Sequence, residues 1–103
     1  MDRLEAIRKF MSDRPNDPFP IYGLAMELRR RGDLEESRRV FASLSERFPD
    51  YVPLYLMYGE LLAEMKRIEE AKEIAARGVA AARKKGDQHA AEKLVLLGAS
   101  VEK

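Results

Sequence analysis

Apolar residues recur at intervals of three and four positions along most of the chain. Two such sets are Ile21, Leu24, Ala25 and Leu28, and Tyr55, Tyr58, Gly59 and Leu62. This spacing places the members of each set on one face of an α-helix, which has about 3.6 residues per turn. No stretch shows the sustained apolar–polar alternation that is typical of β-strands. The pattern therefore predicts amphipathic helices.

Helix-breaking residues separate these helices. The breaks are Asp17-Pro18, Gly32-Asp33, Phe48-Pro49-Asp50, Pro53 and Gly86-Asp87. Aspartate favours the N-cap of a helix, proline its first turn, and glycine the position after its end. Asp33 and Glu36 have the spacing of a capping box, and Asp2 with Glu5 is a further helix-start signal. Six antiparallel helices are predicted, over about 2–13, 18–31, 34–47, 52–65, 68–84 and 88–101.

A repeat connects the two halves of the chain. The segment GDLEES at residues 32–37 returns as KRIEEA at residues 66–71, 34 positions later. In this register Leu28 falls on Leu62, and acidic residues fall on acidic residues. The match loosens farther on, where Phe41 falls on Ala75. A period of this length is typical of helical repeat proteins.

These residues resemble the tetratricopeptide repeat, a helix–turn–helix unit of about 34 residues with the pattern W-x2-L-G-x2-Y, A-x3-F and P. The matching positions are Ile21, Leu24, Ala25, Leu28, Ser37, Phe41 and Pro49, and then Tyr55, Tyr58, Gly59, Leu62, Ala71, Ala75 and Arg83. The resemblance implies an all-α, right-handed α-solenoid of antiparallel helix pairs. It divides the chain into an N-terminal half-repeat helix at 1–17, repeats at 18–51 and 52–85, and a capping helix at 86–103.

The chain departs from the family pattern at several positions. It contains no tryptophan, and Arg83 stands where the second copy should have proline. Without that proline, we expect the fifth helix to run longer than the third. Ile7, Phe10 and Pro15 match the second half of an earlier copy.

The last predicted helix does not keep the repeat register. Its apolar set is Ala90, Ala91, Leu94, Leu97, Gly98 and Val101. We expect it to cap the end of the stack, packed on a strip of small residues at Ala75, Gly78 and Ala82. A helix that docks on a partner is the alternative.

Small residues occupy the positions where paired helices should cross. They are Ala25, Ser37, Gly59 and Ala71. A side chain larger than a methyl group at such a crossing would hold the two backbones apart.

The composition limits the class of function. The 103 residues include 19 lysines and arginines and 18 acidic residues, so the net charge is only +1. This balance argues against a protein that bulk charge holds to nucleic acid. Absence of cysteine excludes disulfides and thiolate sites. Acidic residues near the N-terminus do not suit a signal peptide, and the longest apolar run, at 94–99, is far shorter than a membrane span. A soluble, cytoplasmic protein without a membrane partner is predicted.

Residues with catalytic potential are few. His89 is the only histidine, and a metal site would need further ligands. Glu35-Glu36 and Glu69-Glu70 are neighbours on helices, where side chains point about 100° apart, so neither pair can flank one substrate bond. The basic clusters are Arg29-Arg30-Arg31, Arg38-Arg39 and Arg83-Lys84-Lys85, and they fit either solvated helix ends or a patch for an acidic partner. No enzyme, metal or cofactor is predicted.

The resemblance implies that the first helix of each pair lines a concave, partner-binding face. The candidate residues on that face are Phe19, Tyr22, Met26, Arg29, Arg30, Tyr51, Leu56 and Glu60. Exposed apolar patches mark interaction surfaces, and tyrosine, methionine and arginine are enriched where proteins meet. Alternatively, the first and last helices fold over this face and bury it.

The predicted function is that of a non-enzymatic protein–protein interaction module, an adaptor or scaffold that binds a peptide or helix on its concave face. Some family members bind acidic chaperone tails through lysine and asparagine, but Tyr22 and Met26 occupy the first pair of those positions here. We therefore expect an amphipathic helix or extended apolar peptide, with an acidic residue meeting Arg29 or Arg30. The alternative is a homo-oligomer that self-associates through this face or the last helix. The partner's identity stays open.

Overall fold

The computed structural model describes residues 2–101, and within them every regular element is an α-helix. The helices are α1 (Arg3–Asp13), α2 (Pro18–Arg30), α3 (Leu34–Arg47), α4 (Pro53–Glu64), α5 (Ile68–Lys84) and α6 (Gln88–Ser100). The all-α prediction with six helices is confirmed, and no predicted boundary differs from the observed one by more than one residue. The absence of the second proline has its expected effect, because α5 has 17 residues and α3 has 14.

The chain forms two compact units that divide between Phe48 and Pro49. In the first unit α2 packs against both α1 and α3. In the second unit α5 packs against both α4 and α6, and α6 also reaches α4. The predicted repeat boundary at 51/52 lies close to this division, but the repeat-by-repeat partition of the chain stays a prediction.

The turns after α2, α4 and α5 close in the same way. The residue that follows each helix by two positions is in the left-handed conformation, with φ of 87° at Gly32, 64° at Lys66 and 73° at Gly86. The next amide then donates to a carbonyl five residues earlier, as from Asp33 to Leu28 at 2.9 Å. This is the hydrogen bond of a Schellman motif, for which glycine is the usual residue. Lys66 occupies the Gly32 position of the repeat, so the second copy adopts this turn without glycine.

Side-chain caps form at two of the predicted helix starts. The carboxylate of Asp17 accepts from the Phe19 amide at 3.0 Å, and that of Asp87 accepts from Ala90 at 3.0 Å. The capping box predicted at Asp33 and Glu36 is wrong, because Asp33 makes no side-chain cap bond. Glu36 pairs forward along its helix with Arg39 at 3.0 Å and does not reach back to the Asp33 amide.

Asp2 marks the start of α1 as predicted, since it is the N-cap residue, but its side chain makes no cap bond to α1. The Asp2 carboxylate accepts from Arg31 of α2 at 2.8 Å instead. This contact draws the start of α1 toward the end of α2 and lowers the pKa of Asp2 below its ordinary value.

The predicted small residues lie buried at the helix crossings. Ala25, Ser37 and Ala71 are fully buried. The Ser37 hydroxyl donates to the Ala25 carbonyl at 2.7 Å, so α2 and α3 touch directly at this point. A methyl group at Gly59 would lie 2.6 Å from the Leu97 Cδ2 atom, which places α6 close to α4 as well.

The small-residue strip on α5 receives the last helix. A Cβ atom at Gly78 would lie 3.0 Å from two methyl carbons of Leu94, and one at Gly98 would lie 3.7 Å from Ala75. Leu94 is almost fully buried, so α6 packs on its own chain through this residue. Among residues 2–101, no helix combines the length and apolar composition that a membrane span requires. A cytoplasmic location stays a prediction.

Candidate protein-binding surface

The outer face of α2 carries the candidate residues of the first unit. The Asp17 cap and Pro18 begin α2 and leave Phe19 in its first turn, where 65% of Phe19 is exposed. Tyr22 and Met26 follow on the same side of the helix and are half-buried. The α2 face therefore offers solvent an aromatic ring next to two partly exposed apolar side chains.

Tyr22 also has a role in the core that the sequence did not reveal. Its ring meets the buried ring of Phe41 edge to face, with 6.4 Å between centroids and 68° between planes. Aromatic pairs favour this arrangement, and it fixes the orientation of the Tyr22 ring. α1 packs on α2 without covering this face, since Phe19 stays mostly exposed. The alternative that the first helix buries the face is therefore wrong for Phe19.

Two arginines at the end of α2 bind a buried carboxylate. The side chain of Glu27 is 3% exposed and accepts from Arg30 at 2.6 Å and 3.1 Å and from Arg31 at 2.9 Å. Arg3 of α1 approaches the same carboxylate at 3.4 Å. Hydrogen bonds from Arg30 and then Arg31 lower the pKa of Glu27 from its ordinary 4.5 to about 2. Glu27 thus stays ionised at neutral pH and joins α1 to α2.

This cluster changes the interpretation of Arg30. The sequence predicted a solvated helix end or a patch for an acidic partner, but the Arg30 guanidinium makes two hydrogen bonds to Glu27. A bidentate arginine–carboxylate pair is geometrically well defined, so the outward charge of this pair is partly neutralised. Arg29 lies beside it and is half-buried. The role of Glu27 was not predicted from the sequence, although its spacing to Arg31 is that of an ion pair on one helix.

The candidates of the second unit lie at the start and along one side of α4. Tyr51 precedes the helix, and Leu56 and Glu60 lie one turn apart on it; all three are half-buried. The neighbouring Tyr55 is buried, and its hydroxyl donates to the Pro49 carbonyl at 2.6 Å. The α4 face is therefore less apolar and less exposed than the α2 face of the first unit.

A groove that the sequence did not predict lies between α1 and α2. Its volume is about 280 Å³, and its lining residues are Ile7, Phe10, Arg14, Asp17, Phe19, Pro20 and Gly23. We call it the α1–α2 groove. Phe10 is 54% exposed on its rim, and Phe19 borders both this groove and the α2 face.

The residues weighed for catalysis are dispersed. His89 is exposed in the first turn of α6. Glu35 pairs with Arg38 at 3.0 Å, and Glu70 pairs with Arg67 at 2.7 Å. Within residues 2–101, no three histidine or acidic side chains come together as metal ligands. Glu35 therefore belongs to a surface ion pair within α3, and Glu70 to a surface ion pair at the start of α5.

Comparisons with known proteins agree on one family. A sequence model of the tetratricopeptide repeat matches residues 28–94. A tetratricopeptide repeat domain protein from Salinibacter ruber, solved by NMR, is 32% identical with a TM-score of 0.81, over 85% of this chain and 89% of that one. A crystal structure of the tetratricopeptide repeat domain protein from Salinibacter ruber is 31% identical with a TM-score of 0.79, over 84% and 97%.

A protein from Bordetella parapertussis has the same fold at lower sequence identity. Its solution structure is 15% identical with a TM-score of 0.80, over 98% of this chain and 88% of that one. Comparison with curated proteins gives no match.

Proposed function

Because the chain belongs to the tetratricopeptide repeat family of helical repeat proteins, we propose that it is a non-enzymatic interaction module that binds a peptide or helix of another protein. The binding residues of the first unit lie on the outer face of α2, and those of the second unit lie on the outer face of α4. A protein-interaction role is general in this family, and the choice of these two faces is specific to this chain.

One observation carries the proposal. Phe19 exposes 65% of its surface beside the half-buried Tyr22 and Met26. Burial of exposed apolar surface stabilises a complex by about 25 cal/mol for each Å² removed from water. The Tyr22 ring is held by Phe41, so it loses little side-chain entropy when a partner binds. A contiguous apolar face with a pre-oriented aromatic ring suits the apolar side of a peptide.

The ion pair between Arg30 and Glu27 limits the kind of ligand that we expect at the α2 face. Its guanidinium is bound to Glu27, so the Glu27 carboxylate partly neutralises the positive charge of Arg30 at this end of α2. We therefore expect apolar contacts to dominate affinity at the α2 face. Binding there should depend only weakly on salt, because screening acts mainly on exposed charges.

Selection from a displayed library of random peptides, followed by fluorescence anisotropy with the selected sequences, tests this function. Met26→Ala combined with Leu56→Ala should weaken binding roughly tenfold or more, which corresponds to about 1.4 kcal/mol. Both residues are half-buried, so circular dichroism should show unchanged helix content. Leu96→Ser on α6 is the matched control, since Leu96 is an exposed apolar residue at 69% on another helix. Equal affinity of the double variant and the wild type would contradict the proposed site.

Self-association through α6 is the second candidate, and the exposure of Val95 and Leu96 supports it. These two neighbours are 48% and 69% exposed on the last helix. Light scattering across a hundredfold range of protein concentration tests this role. A mass that rises with concentration in the wild type and not in Leu96→Ser would support it, and a constant monomer mass would rule it out.

A further inference from the structure

The crossing between α2 and α3 brings a buried ring against a ring of the α2 face. At the crossing itself, the Ser37 hydroxyl donates to the Ala25 carbonyl at 2.7 Å. Tyr22 lies about one turn before Ala25, and Phe41 lies about one turn after Ser37. Residues placed in this way meet when two helices are antiparallel, and the two ring centroids are 6.4 Å apart. The close approach of the helices at the small residues therefore sets the contact between the rings.

The two rings differ in how freely they can move. Phe41 is fully buried, so the surrounding core fixes its orientation. Tyr22 is half-buried and belongs to the α2 face. The Tyr22 ring packs edge to face on the fixed ring, with 68° between planes, and this contact restricts the rotamers open to Tyr22. Phe41 thus orients a surface residue from the interior of the unit.

The second unit has the same crossing without the pair of rings. A Cβ atom at Gly59 would lie 3.9 Å from the Ala71 carbonyl oxygen, so α4 and α5 also approach closely at their small residues. Leu56 and Ala75 stand 34 positions after the two ring residues of the first unit. Ala75 is buried and carries only a methyl group, so the second unit has no ring at the position from which Tyr22 is oriented.

We propose that Phe41 is a positioning residue for the α2 face, which raises partner affinity by orienting Tyr22, and that the first unit contributes more of this affinity than the second. The inference rests on the proposed function, because it concerns binding at the same face. Phe41 is fully buried, so a partner bound at the surface does not touch it. The effect of Phe41 on binding must therefore pass through Tyr22.

Orientation of a side chain before binding reduces the entropy that the complex loses. A side chain that samples several rotamers in the unbound protein gives them up when a partner fixes it, and this loss weakens binding. Tyr22 has given up part of that freedom already, because Phe41 restricts its ring. Tyrosine is also a residue type in which binding energy concentrates, since its large ring has only two side-chain torsions. Leu56 has neither advantage.

A purely structural role is the alternative for Phe41. Loss of a large core side chain destabilises a fold whatever residues lie on its surface. A structural effect on affinity would not depend on the residue at position 22. Positioning requires Tyr22 at that place, so the two roles predict different results when both residues are changed.

A double-mutant cycle separates the two roles. The four proteins are the wild type, Phe41→Leu, Tyr22→Leu and the double variant. The probe is the tightest-binding peptide selected from the displayed random library, and fluorescence anisotropy measures its affinity at a temperature where circular dichroism shows all four proteins folded. Amide chemical shifts identify the helices that the peptide contacts. Phe41→Met replaces Phe41→Leu if the latter does not fold, because the long and flexible methionine side chain fills more of the space.

A second measurement needs no peptide. Relaxation of ring carbons by NMR reports the order of each tyrosine ring on the picosecond to nanosecond timescale. The order of the Tyr22 ring should fall in Phe41→Leu. Tyr55 is the control, since it is buried in the second unit and its hydroxyl donates to the Pro49 carbonyl.

We expect Phe41→Leu to weaken peptide binding about threefold to tenfold in the protein that keeps Tyr22, which is the range expected when one side chain must be ordered on binding. In the Tyr22→Leu protein, the same change should weaken binding by less than about twofold, because the ring that Phe41 orients is absent. The peptide should shift the amides of α2 more than those of α4.

Three results would overturn the proposal. Equal losses of affinity in both backgrounds would identify a purely structural role. An unchanged order of the Tyr22 ring in Phe41→Leu would show that Phe41 does not orient it. A selected peptide that shifts α4 and leaves α2 unshifted would refute the larger contribution of the first unit. In each of these cases peptide binding itself stands, whereas failure to select any peptide would refute the proposed function and this inference with it.

Discussion

Alanine at Gly78 and alanine at Gly23 add the same methyl group to the interior of a helix, but that group meets different surroundings. Glycine is less favourable than alanine in a helix interior by about 1 kcal/mol, so each substitution begins with a gain of that size. The two variants therefore form a matched pair in which only the packing differs.

At Gly78 the gain is offset by a steric conflict. The new Cβ would lie 2.5 Å from the Tyr55 Cβ atom and 3.0 Å from two carbons of Leu94. Favourable contacts between carbon atoms lie at about 3.5–4.0 Å, and a Cβ atom cannot move without its backbone. Overpacking of this kind costs about 1–3 kcal/mol. The net result is a loss of up to about 2 kcal/mol. At Gly23 nothing lies within 4 Å of the added methyl, so the gain of about 1 kcal/mol remains.

Thermal and urea denaturation, followed by circular dichroism, measure the difference. A change of 1 kcal/mol moves the Tm of a small domain by about 4–8 °C, so Gly23→Ala should raise it by about that amount. Gly78→Ala should leave the Tm unchanged or lower it. Amide hydrogen exchange in α2 and in α5 separates the two effects, because the glycines lie in different compact units. A Gly78→Ala protein as stable as Gly23→Ala would refute the close contact among α4, α5 and α6.

Three further predictions concern charge, turn geometry and packing. The pKa of Glu27 is depressed to about 2, so its contribution to stability is present above pH 4.5 and is lost as pH falls toward 2. Glu27→Gln should lower the Tm at pH 7 and flatten its fall between pH 4.5 and 2, and a parallel fall in both proteins would contradict the ion-pair cluster. Lys66→Gly should raise stability by roughly 0.5–1 kcal/mol in urea titrations, because it relieves a left-handed φ of 64°. Ala71→Leu should cost about 1–3 kcal/mol, since Ala71 is fully buried at a helix crossing, and an unchanged Tm would count against that position.

The helices could be predicted from the sequence because the apolar spacing and the helix-breaking residues that define each helix lie within short stretches of the chain. The spacing of Ile21, Leu24 and Leu28 sets an apolar face, and Pro18 and Gly32 set its limits, all within one helix. Residues 34 positions apart then share an environment, as Leu28 and Leu62 do, because both are buried. Side-chain capping was less predictable, since a carboxylate such as Asp2 can accept hydrogen bonds from residues far along the chain instead of from its own helix.

The candidate surface was predictable only in part. Helical periodicity placed Phe19, Tyr22 and Met26 outside the core stripe, and the structure leaves Phe19 exposed. Helical periodicity did not reveal the contact of Tyr22 with Phe41, because a ring contact depends on how two helices cross. The α1–α2 groove could not be predicted from the sequence for the same reason, since its shape depends on how α1 packs against α2.

The sequence by itself determined the number of helices, their limits, the repeat and the family, because periodicity, turn residues and register are properties of short stretches. The tertiary structure alone decided which charges pair between helices and which apolar residues stay exposed. Arg3 and Glu27 are 24 residues apart in the chain and 3.4 Å apart in space. Burial and ion pairing depend on such distances, and packing between helices sets them.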